Sequence, residues 1–306
     1  MRYQFLSKDL DFVKHRNKFF IFSLILLLAG TVVLVTMGLN KSIDFSSGTR
    51  VDISADHSLD PKEVEKELKA IGFEDYDRLV VSGNNKEIVT AQYIGTLKKE
   101  EVAKIKTHFN NLYNHEPSIS IVSPQVGKEL ARNAMISILL ASIGIVIYVA
   151  LRFEFYFAIS AIISLLHDAF LIVAVFSLLR LEVDVTFIAA VLTIIGYSIN
   201  DTIVTFDRIR ENVKKERRIK SFEHLAHIVN LSIVQTLTRS INTVLTVVIA
   251  AAALYFLGAP AIKNFSFALL VGLIAGTYSS LFIAAQLWLV LKNRQLKKVG
   301  YKKLEI

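Results

Sequence analysis

The chain has 306 residues, of which 53% are hydrophobic and 20% charged, with a formal net charge of +8 and no cysteine. The absence of cysteine excludes a disulfide framework, a thiolate metal site and thiol catalysis. The basic balance would suggest nucleic acid only if it lay on a soluble face. Instead the apolar residues fall in blocks and the cations stand beside those blocks, so the charge reports membrane topology and no nucleic-acid partner is expected.

A basic leader at residues 1–18, with Arg2, Lys8, Lys14, Arg16 and Lys18, precedes an apolar run at 19–39. That run exceeds a signal-peptide core and lacks a small-x-small cleavage site, so it is expected to be an uncleaved anchor. Residues 40–127 follow as a segment long enough to fold outside the bilayer. Their patterning predicts strand at 43–53, helix at 60–73, strands at 78–82 and 87–94, helix at 97–113 and strand at 118–123. Asp60-Pro61 marks one helix start and Thr96, with Lys99-Glu100 behind it, the other. The order β-α-β-β-α-β predicts an α+β, ferredoxin-like domain with two helices on one face of a sheet. Its histidines, His57, His108 and His115, are scattered, and no metal site is expected there.

Five further apolar runs occupy 131–151, 155–179, 185–206, 231–257 and 265–291, each near the length that ~30 Å of hydrocarbon requires of a helix. The fold class is thus a polytopic α-helical membrane protein of six transmembrane helices, with spans two to six within 128–291. The link at 207–230 is strongly basic (Arg208, Arg210, Lys214, Lys215, Arg217, Arg218, Lys220), as is the tail at 292–306. The links after spans three and five hold only Arg180 and Lys263. By the positive-inside rule both termini are cytoplasmic and the folded domain is extracytoplasmic. Phe222, Leu225, Ile228 and Val229 recur at helical spacing, as in a helix lying along the membrane surface or in a plain loop helix.

An ionisable group in mid-span costs at least ~2.5 kcal/mol, so one that persists faces a protein interior or a water path. Span four carries Asn200-Asp201, with Tyr197, Ser198, Thr205 and Arg208 on the same face. Span five carries Arg239 within a polar stripe of Gln235, Thr236, Asn242, Thr243 and Thr246, which is expected to face Asp201. Such a pair is either a buried ion pair that fixes packing or a proton carrier in which a moving arginine switches the carboxylate's proton affinity. Span three adds His167-Asp168, with Ser160 and Ser164 below, as a relay candidate or a packing hydrogen bond. Span six repeats small residues at Ala268, Gly272, Gly276, Ser280 and Ala284, which predicts close helix packing.

These residues resemble the SecF branch of the SecD/SecF family, within the resistance-nodulation-division superfamily. The match is strongest from Gly196-Tyr197-Ser198-Ile199-Asn200-Asp201 through Asn212. It continues in Ile43-Asp44-Phe45, Gly48-Thr49, Gly127-Lys128-Glu129-Leu130, His167-Asp168 and Gln235-Thr236-Leu237-Thr238-Arg239. Ser42 and Ser47 stand where the family commonly has glycine. The resemblance implies a bacterial cytoplasmic-membrane subunit that works with SecD beside the SecYEG channel. It implies coupling of the proton motive force to translocation of a preprotein, without catalysis and without a cofactor other than the proton as coupling ion. It also implies that Asp201 and Arg239 are tied to proton conduction, with Asn200 beside them. A different reading is a proton-driven exporter of small apolar molecules or lipids, for which some ninety outer residues are few; a third is a scaffold, in which neutralising the charges would be tolerated.

Overall fold

The computed structural model describes residues 10–82, 86–216 and 219–299. Arg2, Lys8, Arg217, Arg218, Lys302 and Lys303 of the basic segments lie outside them. Among the described residues, six helices are long and apolar enough to cross a membrane. The first, α1 (Arg16–Met37), ends at Gly38, whose φ of 62° turns the chain out of the helix. It leads to β1 (Asn40–Lys41) and a single helical turn, α2 (Ile43–Ser46).

That turn corrects the strand expected from residue 43. Ser42 caps it by accepting the Asp44 N–H at 3.1 Å, and the strand β2 (Gly48–Ser54) begins only at Gly48. Between them Ser47 holds φ 60° and ψ 153°, a conformation normally left to glycine. Gly48 is itself obligatory, since a Cβ there would lie 2.3 Å from the Tyr93 carbonyl oxygen.

The rest of the outer segment forms α3 (Pro61–Ala70), β3 (Arg78–Ser82), β4 (Ile88–Tyr93), α4 (Lys99–Tyr113) and β5 (Ser118–Val122). Asp60 caps α3 through the Lys62 N–H. The expected cap at Thr96 moves two residues on: the Lys98 N–H donates to Glu101 at 2.6 Å. The sheet order is β3-β4-β2-β5, with each neighbouring pair antiparallel. Val51 and Ile53 of β2 and Val89 and Ala91 of β4 point to one face, where Val64 and Leu68 of α3 and Ile105 and Phe109 of α4 bury them completely. The alternate residues, Arg50, Asp52, Thr90 and Gln92, make the other face polar.

Ser123 and Pro124 start α5 (Pro124–Arg152), followed by α6 (Phe155–Leu178), β6 (Glu182–Val183), α7 (Val185–Lys215) and α8 (Phe222–Leu257). A 3-10 turn (Pro260–Ile262) opens the last span, made of α9 (Lys263–Ser279), a π-helical turn (Ser280–Ala284) and α10 (Ala285–Val299). The surface-helix expectation at 222–229 is overturned. Those residues are the first two turns of the 36-residue α8, and Leu225, Ile228 and Val229 are buried in the bundle core. Helices α6, α7 and α9 form the centre, around Phe157, Ile172, Phe176, Ile194, Phe206, Ala268 and Leu273. The apolar flanks of α1, α5 and α8 are largely exposed, as lipid-facing surfaces are.

The outer domain sits on the bundle through the short link between α6 and α7. Strand β1 pairs in parallel with β6. Asn40 donates to the Arg180 carbonyl at 2.7 Å and Ser177 to the Gly38 carbonyl at 2.6 Å. The polar face of the sheet lies over Glu182, whose carboxylate accepts hydrogen bonds from Gln92 and, at 3.4 Å, from Arg50. Burial pushes the Glu182 carboxyl above the usual range for a glutamate, although Arg50 and Gln92 pull it back.

Candidate functional site: polar groups inside the bundle

Two carboxylates lie within the spans, and the helices present them differently. Asp168, on α6, is 1% exposed. Its Oδ2 accepts the hydroxyls of Ser198 on α7 at 2.6 Å and Ser279 on α9 at 2.8 Å, while Oδ1 lies 3.3 Å from Nδ1 of His167. The three central helices therefore meet on one buried carboxyl group. Nε2 of His167 is buried without a partner, as are the hydroxyls of Ser164 and Thr205. Ser160 donates to the Tyr156 carbonyl of its own helix, outside this cluster.

The small-residue stripe of the last span explains how the helices come so close. A Cβ on Gly272 would lie 2.2 to 2.8 Å from three side-chain atoms of Ile194, and one on Gly276 would lie 3.1 Å from the Ser198 hydroxyl. Ser280 exchanges a hydrogen bond with Thr202 at 2.8 Å and donates to the Ser198 carbonyl at 3.3 Å. The close packing expected of Gly272, Gly276 and Ser280 is thus an α7–α9 contact, with the π-turn beginning at Ser280.

Asp201 lies one turn beyond Ser198 on α7 and faces α8. Its Oδ1 accepts the Ser240 hydroxyl at 2.6 Å, and its Oδ2 is buried without a hydrogen-bond partner. Arg239, the neighbour of Ser240, is exposed on the outside of this bundle, and among the described residues it forms no ion pair with Asp201. The stripe on α8 divides accordingly. Ser232, Thr236 and Ser240, spaced at i, i+4 and i+8, are buried toward α7, whereas Arg239, Asn242, Thr243 and Thr246 are exposed. Asn200 is exposed on α7 as well. Nearer the basic end, Asn212 donates to Ser232 and Gln235 at 2.9 Å each. Beside it a cavity of about 330 Å³ opens between α7 and α8, lined by Asp207, Arg208, Gln235, Thr236 and Arg239.

Ser198 thus serves Asp168, not Asp201, and the partners Ser240 and Ser279 were missed in the sequence. The available signals were weak: a hydroxyl adjacent to Arg239 and a serine pair ending a small-residue stripe. No group of three or more histidines, aspartates or glutamates that could hold a metal ion occurs among the described residues.

Six membrane-spanning helices, an outer α+β domain and ionisable side chains in three of the spans define a multi-pass membrane protein with a polar interior. The family model for the SecD/SecF C-terminal region of protein export membrane proteins matches residues 101–294, and that for the SecD/SecF GG motif matches residues 32–58. The chain belongs to the SecD/SecF family. It is 42% identical over 94% of both chains to the protein translocase subunit SecF of Alicyclobacillus acidocaldarius, and 58% identical over 94% of its own length to the protein translocase subunit SecDF of Bacillus subtilis. It spans 39% of that SecDF. Among solved structures, SecDF of Thermus thermophilus, a translocon-associated membrane protein, superimposes with a TM-score of 0.83 at 33% identity, covering 93% of this chain and 39% of that one. The GG-motif match includes Ser42 and Ser47, and the backbone at Ser47 has the shape that a glycine takes without strain.

Proposed function

We propose that the chain is the SecF-type auxiliary subunit of the Sec protein-export translocase, working with SecD beside the SecYEG channel and coupling the proton motive force to preprotein movement. Its basic rim and both termini are cytoplasmic, and the outer segment is a ferredoxin-like extracytoplasmic domain, a reading favoured by the β3-β4-β2-β5 order. The observation that carries the proposal is the state of Asp201: a carboxylate in mid-span with one oxygen held by Ser240 and the other buried and unpartnered. Such an oxygen is a place for a proton, and Arg239 on the adjoining turn of α8 is the cation whose approach would release it. Each charge crossing the bilayer supplies about 2.3 kcal/mol per 100 mV, enough to bias a two-state motion.

The exposed polar groups Asn200, Arg239, Asn242 and Thr243 support the partnership. They cannot face hydrocarbon without cost, and the bundle of a SecD-like partner would cover them and bring Arg239 into a protein interior. Asn200 then borders the path, and His167 with Asp168 forms a second, more enclosed pair. The test is Asp201→Asn in inverted membrane vesicles that contain the partner subunit. Loss of both proton conduction and proton-dependent export of a reporter is expected; if both persist, Asp201 is not the carrier.

A further inference from the structure

At the rim opposite the outer domain, a cavity of about 570 Å³ opens where the start of α1, the start of α8 and the end of α10 converge. This volume falls in the range of small-ligand sites. Four cationic side chains line it: Arg16, Lys220, Arg294 and Lys297. Elsewhere on this rim several cations have carboxylate partners. Arg152 and Arg210 pair with Asp207, Arg208 and Lys215 with Glu211, and Lys292 with Glu154. Around the cavity, among the described residues, none of the four forms an ion pair. The one lining carboxylate, Glu223, is held below the usual glutamate range mainly by its own backbone N–H and the Ser221 hydroxyl at the head of α8, with a smaller contribution from the charge of Lys297.

The remaining wall combines Ser221 and Asn293 with an apolar part. Phe222 and Val290 line it, and the Arg16 guanidinium stacks 5.0 Å above the Phe222 ring. Arg16 is also three residues, about 4.5 Å of helical rise, ahead of Phe19, where the apolar run of α1 begins. The cavity therefore lies at the depth of phospholipid headgroups. Below it α1 exposes Ile21, Leu24, Ile25 and Leu28 to the acyl region.

We infer that this cavity binds a phosphate group, and that the phosphodiester of an anionic phospholipid is its source. The four cations supply the charge, Phe222 and Val290 accept the glycerol and upper acyl carbons, and the lipid ties three helix ends together at the rim. Basic pockets between spans on the cytoplasmic side are the usual form of such recognition.

The test is native mass spectrometry of the full-length chain in neutral detergent, titrated separately with phosphatidylglycerol, phosphatidylcholine and inorganic phosphate. One phosphatidylglycerol should bind each chain, with phosphatidylcholine negligible. Arg294→Gln combined with Lys297→Gln should weaken it roughly 30-fold. The charge-matched pair Lys214→Gln and Lys215→Gln, at the end of α7, should change it less than about two-fold. Equal losses in the two double variants would show a diffuse surface field and overturn the site, as would no loss in either. Inorganic phosphate binding as tightly as the lipid would keep the phosphate site and overturn its lipid source. All four substituted positions are at the surface, and matching thermal unfolding confirms that the variants are folded.

Discussion

Gly272→Ala is the sharpest probe of how the central helices meet. The added Cβ would lie 2.2 Å from Cδ1, 2.6 Å from Cγ1 and 2.8 Å from Cγ2 of Ile194, so the whole branched side chain stands in its way. Ile194 is 1% exposed and has no free space to enter. Overpacking of this kind costs about 1–3 kcal/mol, offset by up to about 1 kcal/mol from replacing a helical glycine. A net loss of roughly 1–2 kcal/mol is expected. Ile194→Ala alone costs about 2–5 kcal/mol through the cavity it leaves. Combined, the two should cost less than their sum, by the roughly 1–3 kcal/mol of the relieved clash. Equilibrium unfolding of the four proteins in mixed micelles measures the cycle. Additivity within about 0.5 kcal/mol would refute the close α7–α9 approach.

Ser47→Gly should stabilise the turn before β2 by on the order of 1 kcal/mol, since the strain of φ 60°, ψ 153° exceeds the entropy cost of glycine; thermal unfolding reports it, and a lowered midpoint would contradict the geometry. Glu182 has a folded-state pKa raised by burial, so its contribution to docking is fully present below the usual glutamate pKa and is lost as pH rises through the elevated value. Glu182→Gln should therefore leave docking of the outer domain intact at neutral pH and flatten its pH dependence in that window, as read by amide exchange at residues 40–54. Ser198→Ala and Ser279→Ala should each cost about 1–3 kcal/mol, because each removes a hydrogen bond from a buried carboxyl oxygen. Together they should depart from additivity, as both donate to Oδ2 of Asp168; an additive pair measured by unfolding would argue against a shared acceptor.

Much of this was legible from period and position. Apolar blocks located all six spans, and the alternation in residues 78–94 and 118–122 located the later strands, because hydrophobic periodicity follows directly from which face is buried. The misreadings have local causes. Ile43 and Phe45 alternate like a strand, but the Ser42 hydroxyl caps a helical turn that a period-two pattern cannot reveal. Residues 222–229 have helical spacing, yet nothing in that spacing shows that the helix runs unbroken into span five. Within the spans, residue type pointed to Asp168, Asp201 and Arg239, but not to their partners. A hydroxyl can satisfy itself on its own helix at i−4, as Ser160 and Thr243 do, or reach across, as Ser240 and Ser279 do. Only the packing decides between the two.

The seating of the outer sheet on the link between α6 and α7 has a mechanical side. Val185, where α7 begins, is sixteen residues from Asp201, or about 24 Å by helical rise, and Glu182 lies just beyond it. With Asp201 as fulcrum, α7 would be a long arm, and Glu182, three residues before its tip, is bonded to Arg50 and Gln92. A tilt of about 5° moves that tip by roughly 2 Å, the distance over which a hydrogen bond is made or lost. A small angular change deep in the bilayer would thereby become a linear stroke at the base of the outer domain.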